Sequence, residues 1–332
     1  MTCAAQPCPV ELALLDRWQR DFPLAERPFA QAGSAVGLGE GETIAAFARL
    51  QATGVLSRIG AVVRPNTAGA STLAAMRVPP ERLEQVAALV SAQPRVNHNY
   101  EREHDLNLWF VIAGPDRAAV TDTIARIETA TGLPVLDLPM VEGYHIDLGF
   151  PLAGGPARKD LQRPATGYRP DRHDRALLAE IEDGLPLTLR PYRTVAEGLG
   201  TEQDDVLARL DRLMREGVIS RFGCVVRHRA LGYRANAMAV WDVPDDQLTG
   251  VAPRLARHPR VTLCYRRPRR LPDWRYNLFC MIHATSRDDA SASIREINEA
   301  AGTGGLAQDV LFSLRCFKQR GATFSDTAEA RA

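Results

Sequence analysis

The sequence predicts an α+β fold written twice: two tandem copies of a winged helix-turn-helix, each followed by a ferredoxin-like βαββαβ domain, paired as a pseudo-twofold internal dimer. Three observations predict it. Gly54-Val55-Leu56-Ser57-Arg58-Ile59-Gly60 reads against Gly217-Val218-Ile219-Ser220-Arg221-Phe222-Gly223, and Val62-Val63-Arg64 against Val225-Val226-Arg227. Further blocks keep the same order: Pro94-Arg95-Val96 and Tyr100 against Pro259-Arg260-Val261 and Tyr265, then Asn107-Leu108 against Asn277-Leu278. Ordered self-similarity marks an internal repeat, and a slowly growing offset is what loop insertions produce. Between the copies, Pro151 to Arg172 is rich in Gly, Pro and Arg, a linker composition.

Each copy opens with a short helix, near residues 12–22 and 176–183. In copy two, helices follow at 194–199 and 201–216 with Gly200 between them. Thr201 with Asp204 resembles a capping box with a shortened acid, and Gly217 is a helix-terminating glycine. Copy one runs similarly to Gly54. Three short helices of this kind read as a winged helix-turn-helix. The second part of each copy reads strand, helix, strand, strand, helix, strand. Copy one places these at 70–78, 80–92, 95–101, 106–113, 116–131 and 134–141. Copy two places them at 234–243, 245–257, 260–266, 275–283, 287–301 and 306–315.

The third strand of copy one is apolar on both alternating sets, with Leu106, Leu108, Phe110 and Ile112 on one and Trp109 and Val111 on the other. Such a strand needs cover on both faces. Helices cover one face, and the sheet of the other copy most simply covers the second. The resulting boundaries are 1–66 and 67–150 for copy one, a linker at 151–173, 174–230 and 231–325 for copy two, and a tail at 326–332.

With 24% charged and 45% hydrophobic residues, the chain is ordinary globular material rather than a disordered one. The net charge of +1 argues against a nonspecific nucleic-acid binder. No apolar run approaches the roughly 20 residues of a membrane span, and Met1 to Arg20 has no signal-peptide pattern, so the cytoplasm is the expected location. Six cysteines at 3, 8, 224, 264, 280 and 316 form no Cys-x-x-Cys pair, which gives a zinc or iron–sulfur site little support. Reduced thiols are expected. Lysines are only Lys159 and Lys318 against 39 arginines, so any one arginine cluster weighs less than usual. The third helix of each helix-turn-helix begins with acids: Glu40 and Glu42 in copy one, Glu202, Asp204 and Asp205 in copy two. These would face a polyanion where a DNA-binding helix contacts it, so DNA binding is not expected.

The plan resembles the Lrp/AsnC family, a helix-turn-helix joined to a ligand-binding βαββαβ domain. Particular segments narrow the resemblance. In copy one they are Val96-Asn97-His98-Asn99-Tyr100-Glu101-Arg102-Glu103, Asn107-Leu108-Trp109-Phe110 and Tyr144-His145-Ile146-Asp147-Leu148-Gly149-Phe150. In copy two they are Cys264-Tyr265-Arg266-Arg267, Trp274-Arg275-Tyr276-Asn277-Leu278-Phe279-Cys280-Met281-Ile282-His283 and Phe317-Lys318-Gln319-Arg320-Gly321-Ala322. They resemble the siroheme decarboxylases, here as a fusion of two usually separate subunits of the NirD–NirL or AhbA–AhbB type. The resemblance implies a carboxy-lyase of heme d1 or alternative heme biosynthesis. It would remove CO2 from the C12 and C18 acetates of siroheme to give 12,18-didecarboxysiroheme. It implies no added organic cofactor or resident catalytic metal, the iron belonging to the substrate. Siroheme and its decarboxylated products are the implied ligands, and paralogous decarboxylase subunits and further oligomerisation stay open. The competing expectation is a ligand- or heme-responsive, DNA-binding regulator of the Lrp/AsnC type.

Decarboxylation of a ring acetate leaves an electron pair for the ring to hold, and the methylene must take a proton to become methyl. Histidine suits the proton donor and arginine the carboxylate anchor. On strand two, Val96, His98 and Tyr100 are expected to share a face. The matched residues in copy two are Val261, Leu263 and Tyr265, so one copy has an imidazole where the other has an aliphatic chain. This makes His98, with Tyr100, the first catalytic candidate. It also reads as a core histidine. His145, after strand four of copy one, is the second candidate and also reads as a loop histidine. Either can instead be an axial ligand to the substrate iron. His283, whose counterpart is Ala113, reads mainly as structural, and His104, His173, His228 and His258 carry no signal. Substrate-binding candidates are Arg102, Tyr144, Trp109, Tyr265, Arg266, Arg267, Arg270, Trp274, Tyr276, His283, Lys318 and Arg320. Siroheme carries eight carboxylates, which a cationic rim suits. The aromatic residues read equally as core. The differing acids of the copies imply that copy one supplies most of the proton chemistry, with one composite site as the alternative.

Overall fold

The computed structural model describes residues 7–146, 149, 152 and 166–321. The expected C-terminal tail, most of the linker, and Asp147, Leu148 and Phe150 of the 144–150 motif lie outside the described residues. Copy one forms α1 (Pro9–Arg17), α2 (Pro28–Ser34), α3 (Glu40–Ala52), β1 (Leu56–Val63), β2 (Ala70–Met76), α4 (Leu83–Ala92), β3 (Val96–Arg102), β4 (Leu108–Gly114), α5 (Arg117–Thr131), β5 (Leu136–Pro139) and β6 (Glu142–Ile146). Copy two forms α6 (Arg172–Glu180), α7 (Pro191–Leu199), α8 (Gln203–Arg215), β7 (Ile219–Val226), β8 (Ala235–Trp241), α9 (Leu248–Arg257), β9 (Val261–Arg266), β10 (Leu278–Ala284), α10 (Arg287–Ala301) and β11 (Gln308–Gln319). The chain divides into two compact units, each drawing on both copies: Met1–Ala68 with Gly149–Gly232, and Gly69–Leu148 with Tyr233–Ala332.

The first unit joins both helix-turn-helix copies in one core. Trp18, Phe22, Phe29 and Phe47 pack in a single cluster with Tyr192, Leu210, Leu213 and Phe222. The strand after each third helix pairs with its counterpart, β1 antiparallel to β7, from Leu56 opposite Val226 to Val63 opposite Ile219. A Cβ on Gly223 would stand 2.4 Å from the Trp18 carbonyl oxygen, so only glycine fits this approach. Buried carboxylates on the first helices reach the third: Glu11 meets Arg49 at 2.7 Å, and Asp174, at the matched position, meets Arg212 at 2.7 Å and Arg209 at 3.0 Å. The expected Thr201–Asp204 capping box does not form. The N-cap is Glu202, and the Thr201 hydroxyl donates to the Asp205 carboxylate at 3.0 Å, because the N-cap falls one residue later than expected.

The second unit is a nine-stranded sheet ordered β5-β2-β4-β3-β11-β8-β10-β9-β6. Its pairing is pseudo-twofold. The first half of β11 pairs with β8 of its own copy and the second half with β3 of the other copy. Likewise β5 pairs with β2 of its own copy, and β6, two residues further on, pairs with β9 of the other. Strand four is thus longer than expected in both copies. It reaches Ile146 and Gln319 because each end adds a strand to the opposite module.

Three apolar clusters fill this unit. One lies under α4 and α5, with Leu108, Phe110 and Ile112, and one under α9 and α10, with Leu278, Cys280 and Ile282. The third joins both copies: Leu73, Ala75 and Trp109 from one, Met238, Val240, Tyr265 and Phe279 from the other. The two apolar faces of β4 are therefore covered as expected, one by helices and one by residues of the second module.

Candidate functional site

The face of β3 shared with the second module carries His98, Tyr100 and Arg102. His98 and Tyr100 are half-buried, with rings stacked at 6.1 Å and 17°. Arg102 is buried, its Nη1 donating to the Leu311 carbonyl at 3.1 Å and its Nη2 lying 3.9 Å from Met281 Sδ. Val96 does not share this face. Asn97 is an extra residue between the pairs Val96–Ile112 and His98–Val111. This bulge shifts the alternation by one, so Val96 packs under α4 and Asn99 donates to the Ala87 carbonyl at 3.1 Å, while His98 and Tyr100 turn to the other face.

The second module repeats the bulge at Thr262 and presents Leu263, Tyr265 and Arg267 at the matched positions. This side is packed tighter. Tyr265 is buried and stacks on Phe279 at 5.8 Å, and the Arg267 guanidinium lies 4.6 Å from the Tyr265 ring. Arg267 Nη1 donates to the Leu138 carbonyl, and its Nε has no hydrogen-bond partner among the described residues. Burial pushes its pKa down. Trp109 and Trp274 meet edge to face at 5.1 Å, and Tyr276 lies 5.1 Å from Trp274. Both tryptophans are 1% exposed, so they form the core between modules, as the alternative reading of these aromatics expected.

The arginine hairpin is largely committed within the protein. Arg266 reaches Asp245 at 3.3 Å, Arg269 and Arg275 reach Asp242 at 2.7 and 3.0 Å, and Arg270 Nε donates to the Asp137 carbonyl at 2.9 Å. Lys318 and Arg320 do not stand with these groups. Lys318 Nζ donates to the Ser91 and Gln93 carbonyls at 2.6 and 3.1 Å, and Arg320 Nη2 to the Pro94 carbonyl. Burial, with repulsion from Arg320, pushes the Lys318 pKa down to about 8. His283 Nδ1 lies 3.0 Å from the Thr262 hydroxyl, which itself donates to the Met281 carbonyl at 3.0 Å.

His145 is on a strand, not in a loop. It stands opposite Cys264, whose thiol donates to the Ala252 carbonyl of α9, while Ile146 stands opposite Leu263. Opposed residues share a face, so His145 is on the α9 side and does not meet His98 on the face between modules. The matched pairing sets Lys318 opposite Asn99, which makes Lys318 the positional counterpart of His145. Tyr144 packs on the α9 side too, its hydroxyl donating to Glu142 at 2.7 Å; burial and that carboxylate push its pKa up.

Arg102 and Arg267 are the same position in both copies, which the spacing from Tyr100 and Tyr265 already encodes. Thr262 and His283 belong to a bulge lock that no sequence pattern announces. Among the described residues, no group of three or more His, Cys, Asp or Glu side chains is placed to hold a metal ion.

A family model for AsnC-like ligand binding domains matches residues 68–145 and 230–318. A model for the siroheme decarboxylase NirDL-like HTH domain matches 11–56 and 174–219. The siroheme decarboxylase NirDL subunit of Paracoccus denitrificans (strain Pd 1222) is 47% identical, over 96% of this chain and 98% of that one. A crystal structure of the siroheme decarboxylase NirDL superposes with a TM-score of 0.70 at 28% identity, covering 97% of this chain and 96% of that one. Another, in co-complex with an iron-uroporphyrin III analogue, gives 0.68 at 27% identity, covering 97% and 95%. With both halves matched by these domain families and nearly its whole length matched by such a relative, the chain belongs to the siroheme decarboxylase NirDL family.

Proposed function

We propose that this chain decarboxylates siroheme at the C12 and C18 acetates, giving 12,18-didecarboxysiroheme, and that the chemistry takes place at the His98 face of module one. The observation that carries this reading is the difference between matched faces. Module one presents a half-buried His98–Tyr100 stack beside buried Arg102, whereas module two has Leu263 and a buried Tyr265 at those positions. An aliphatic side chain moves no protons, so the module-two face serves packing and anchoring.

Each acetate loses CO2 as its C–C bond breaks, and the electron pair left on the methylene, held by the ring, takes one proton to form a methyl group. His98 delivers that proton, with Tyr100 stacked against it. Arg102 orients the carboxylate, a buried guanidinium being suited to charge-assisted, paired hydrogen bonds. No added organic cofactor takes part, and the iron is the substrate's.

The DNA-binding alternative is disfavoured by the third helices. They open on acids, and Arg49, Arg209 and Arg212 are already paired with Glu11 and Asp174. Anaerobic incubation with siroheme followed by mass spectrometry tests the reading. A mass loss equal to two CO2 supports it; an unchanged tetrapyrrole with salt-sensitive retention of DNA would support a regulator instead.

A further inference from the structure

We infer that Lys318 and Arg320 of module two are positioning residues for His98 of module one, acting through the β3 bulge that turns His98 toward the second module. The inference rests on the proposed role of His98. A bulge leaves one residue outside the ladder and loosens the pairing around it, so a side chain aimed from a bulge needs a lock. Module two locks its own bulge: the Thr262 hydroxyl donates to the Met281 carbonyl and contacts His283. Module one has Asn97 and Ala113 at those two positions, and Asn97 Oδ1 has no hydrogen-bond partner among the described residues.

Its lock comes from the far end of β11. The Arg320 N–H donates to the Asn97 carbonyl at 2.8 Å, at the bulge itself. Arg320 Nη2 takes the Pro94 carbonyl, and Lys318 Nζ takes those of Ser91 and Gln93, at the end of α4 and in the turn into β3. Gln319, between them, is the register partner of His98. Lys318 and Arg320 of one module thus hold the Ser91, Gln93, Pro94 and Asn97 carbonyls along the turn that leads to the histidine of the other. The residue type fits: an ammonium group reaches carbonyls lying in different directions, which a planar guanidinium does less well, and a cation suits a helix C-terminus.

The test uses the full chain with imidazole-labelled histidines, assigned by comparison with His98→Ala. Lys318→Met should move the titration midpoint of His98 in the free protein. It should lower kcat about tenfold to a hundredfold, the cost of a small misplacement at the reacting centre, with little change in KM. Lys318→Arg should recover part of the loss. Arg320→Gln keeps its backbone contact and should act in the same direction more weakly, and it carries the test if Lys318→Met does not fold. An unchanged His98 titration in both folded variants overturns the inference. Full turnover in His98→Ala would remove the acid role, yet a shifted His98 titration in Lys318→Met would still support the strap.

Discussion

His98 and Leu263 are one position written twice, and the contrast between them was legible because the copies can be laid on each other. The burial of Arg102 and Arg267 was not. In a chain with 39 arginines a guanidinium is expected on any hairpin, and only the fold distinguishes one held between sheets from one bridging to a surface acid. Arg266, held by Asp245, and Arg102, placed beside Tyr100, therefore separate in a binding experiment. Arg102→Met should raise the Kd for siroheme by about tenfold to a hundredfold, the worth of a charged hydrogen bond. Arg266→Ala should change it by less than about threefold, as expected for an exposed pair. Spectrophotometric titration measures both, and equal losses would contradict the assignment.

Elements were legible wherever periodicity spans a whole helix or strand, and illegible wherever one residue changes the parity. The strands of both βαββαβ domains fall close to their expected places, yet the inserted Asn97 moves Val96 to the opposite face from the one alternation predicts. The β11 run past Arg315 was not legible because its partner strand is in the other copy, with Arg315 and Glu101 214 residues apart in sequence. The buried carboxylates of α1 and α6 give a test at this scale. Burial alone would raise both pKa values; Tyr168, Arg212 and Arg209 outweigh it for Asp174, and the Cys8 backbone and Arg49 for Glu11, so both lie below their ordinary values of 3.8 and 4.5. Carboxyl pKa values lowered by folding stabilise above the unfolded value and lose that contribution as pH falls through the folded one. Asp174→Asn should therefore cost about 2–3 kcal/mol at pH 7, by urea denaturation, the scale of lost hydrogen bonds to charged groups. The difference should shrink below about pH 4. A deficit independent of pH would contradict it.

At the scale of the whole molecule, the duplication supplies two nearly equivalent faces within one sheet unit, and divergence has left an imidazole on one of them. No helix among the described residues is long and apolar enough to cross a membrane. The helix-turn-helix unit forms a second core shared by both copies, with Arg49, Arg209 and Arg212 paired to buried carboxylates and with acids at the start of each third helix. The proposed division between modules is tested most directly by single-turnover conversion of siroheme under anaerobic conditions, followed by mass spectrometry, in wild type, His98→Ala and His145→Ala. The account predicts loss of two CO2 in wild type. It predicts a rate about 10²–10⁴-fold lower in His98→Ala, the usual contribution of a general acid, with siroheme binding retained. His145→Ala, altered on the other face, should stay within about tenfold of wild type. Full-rate decarboxylation by His98→Ala, or a loss confined to His145→Ala, would contradict it.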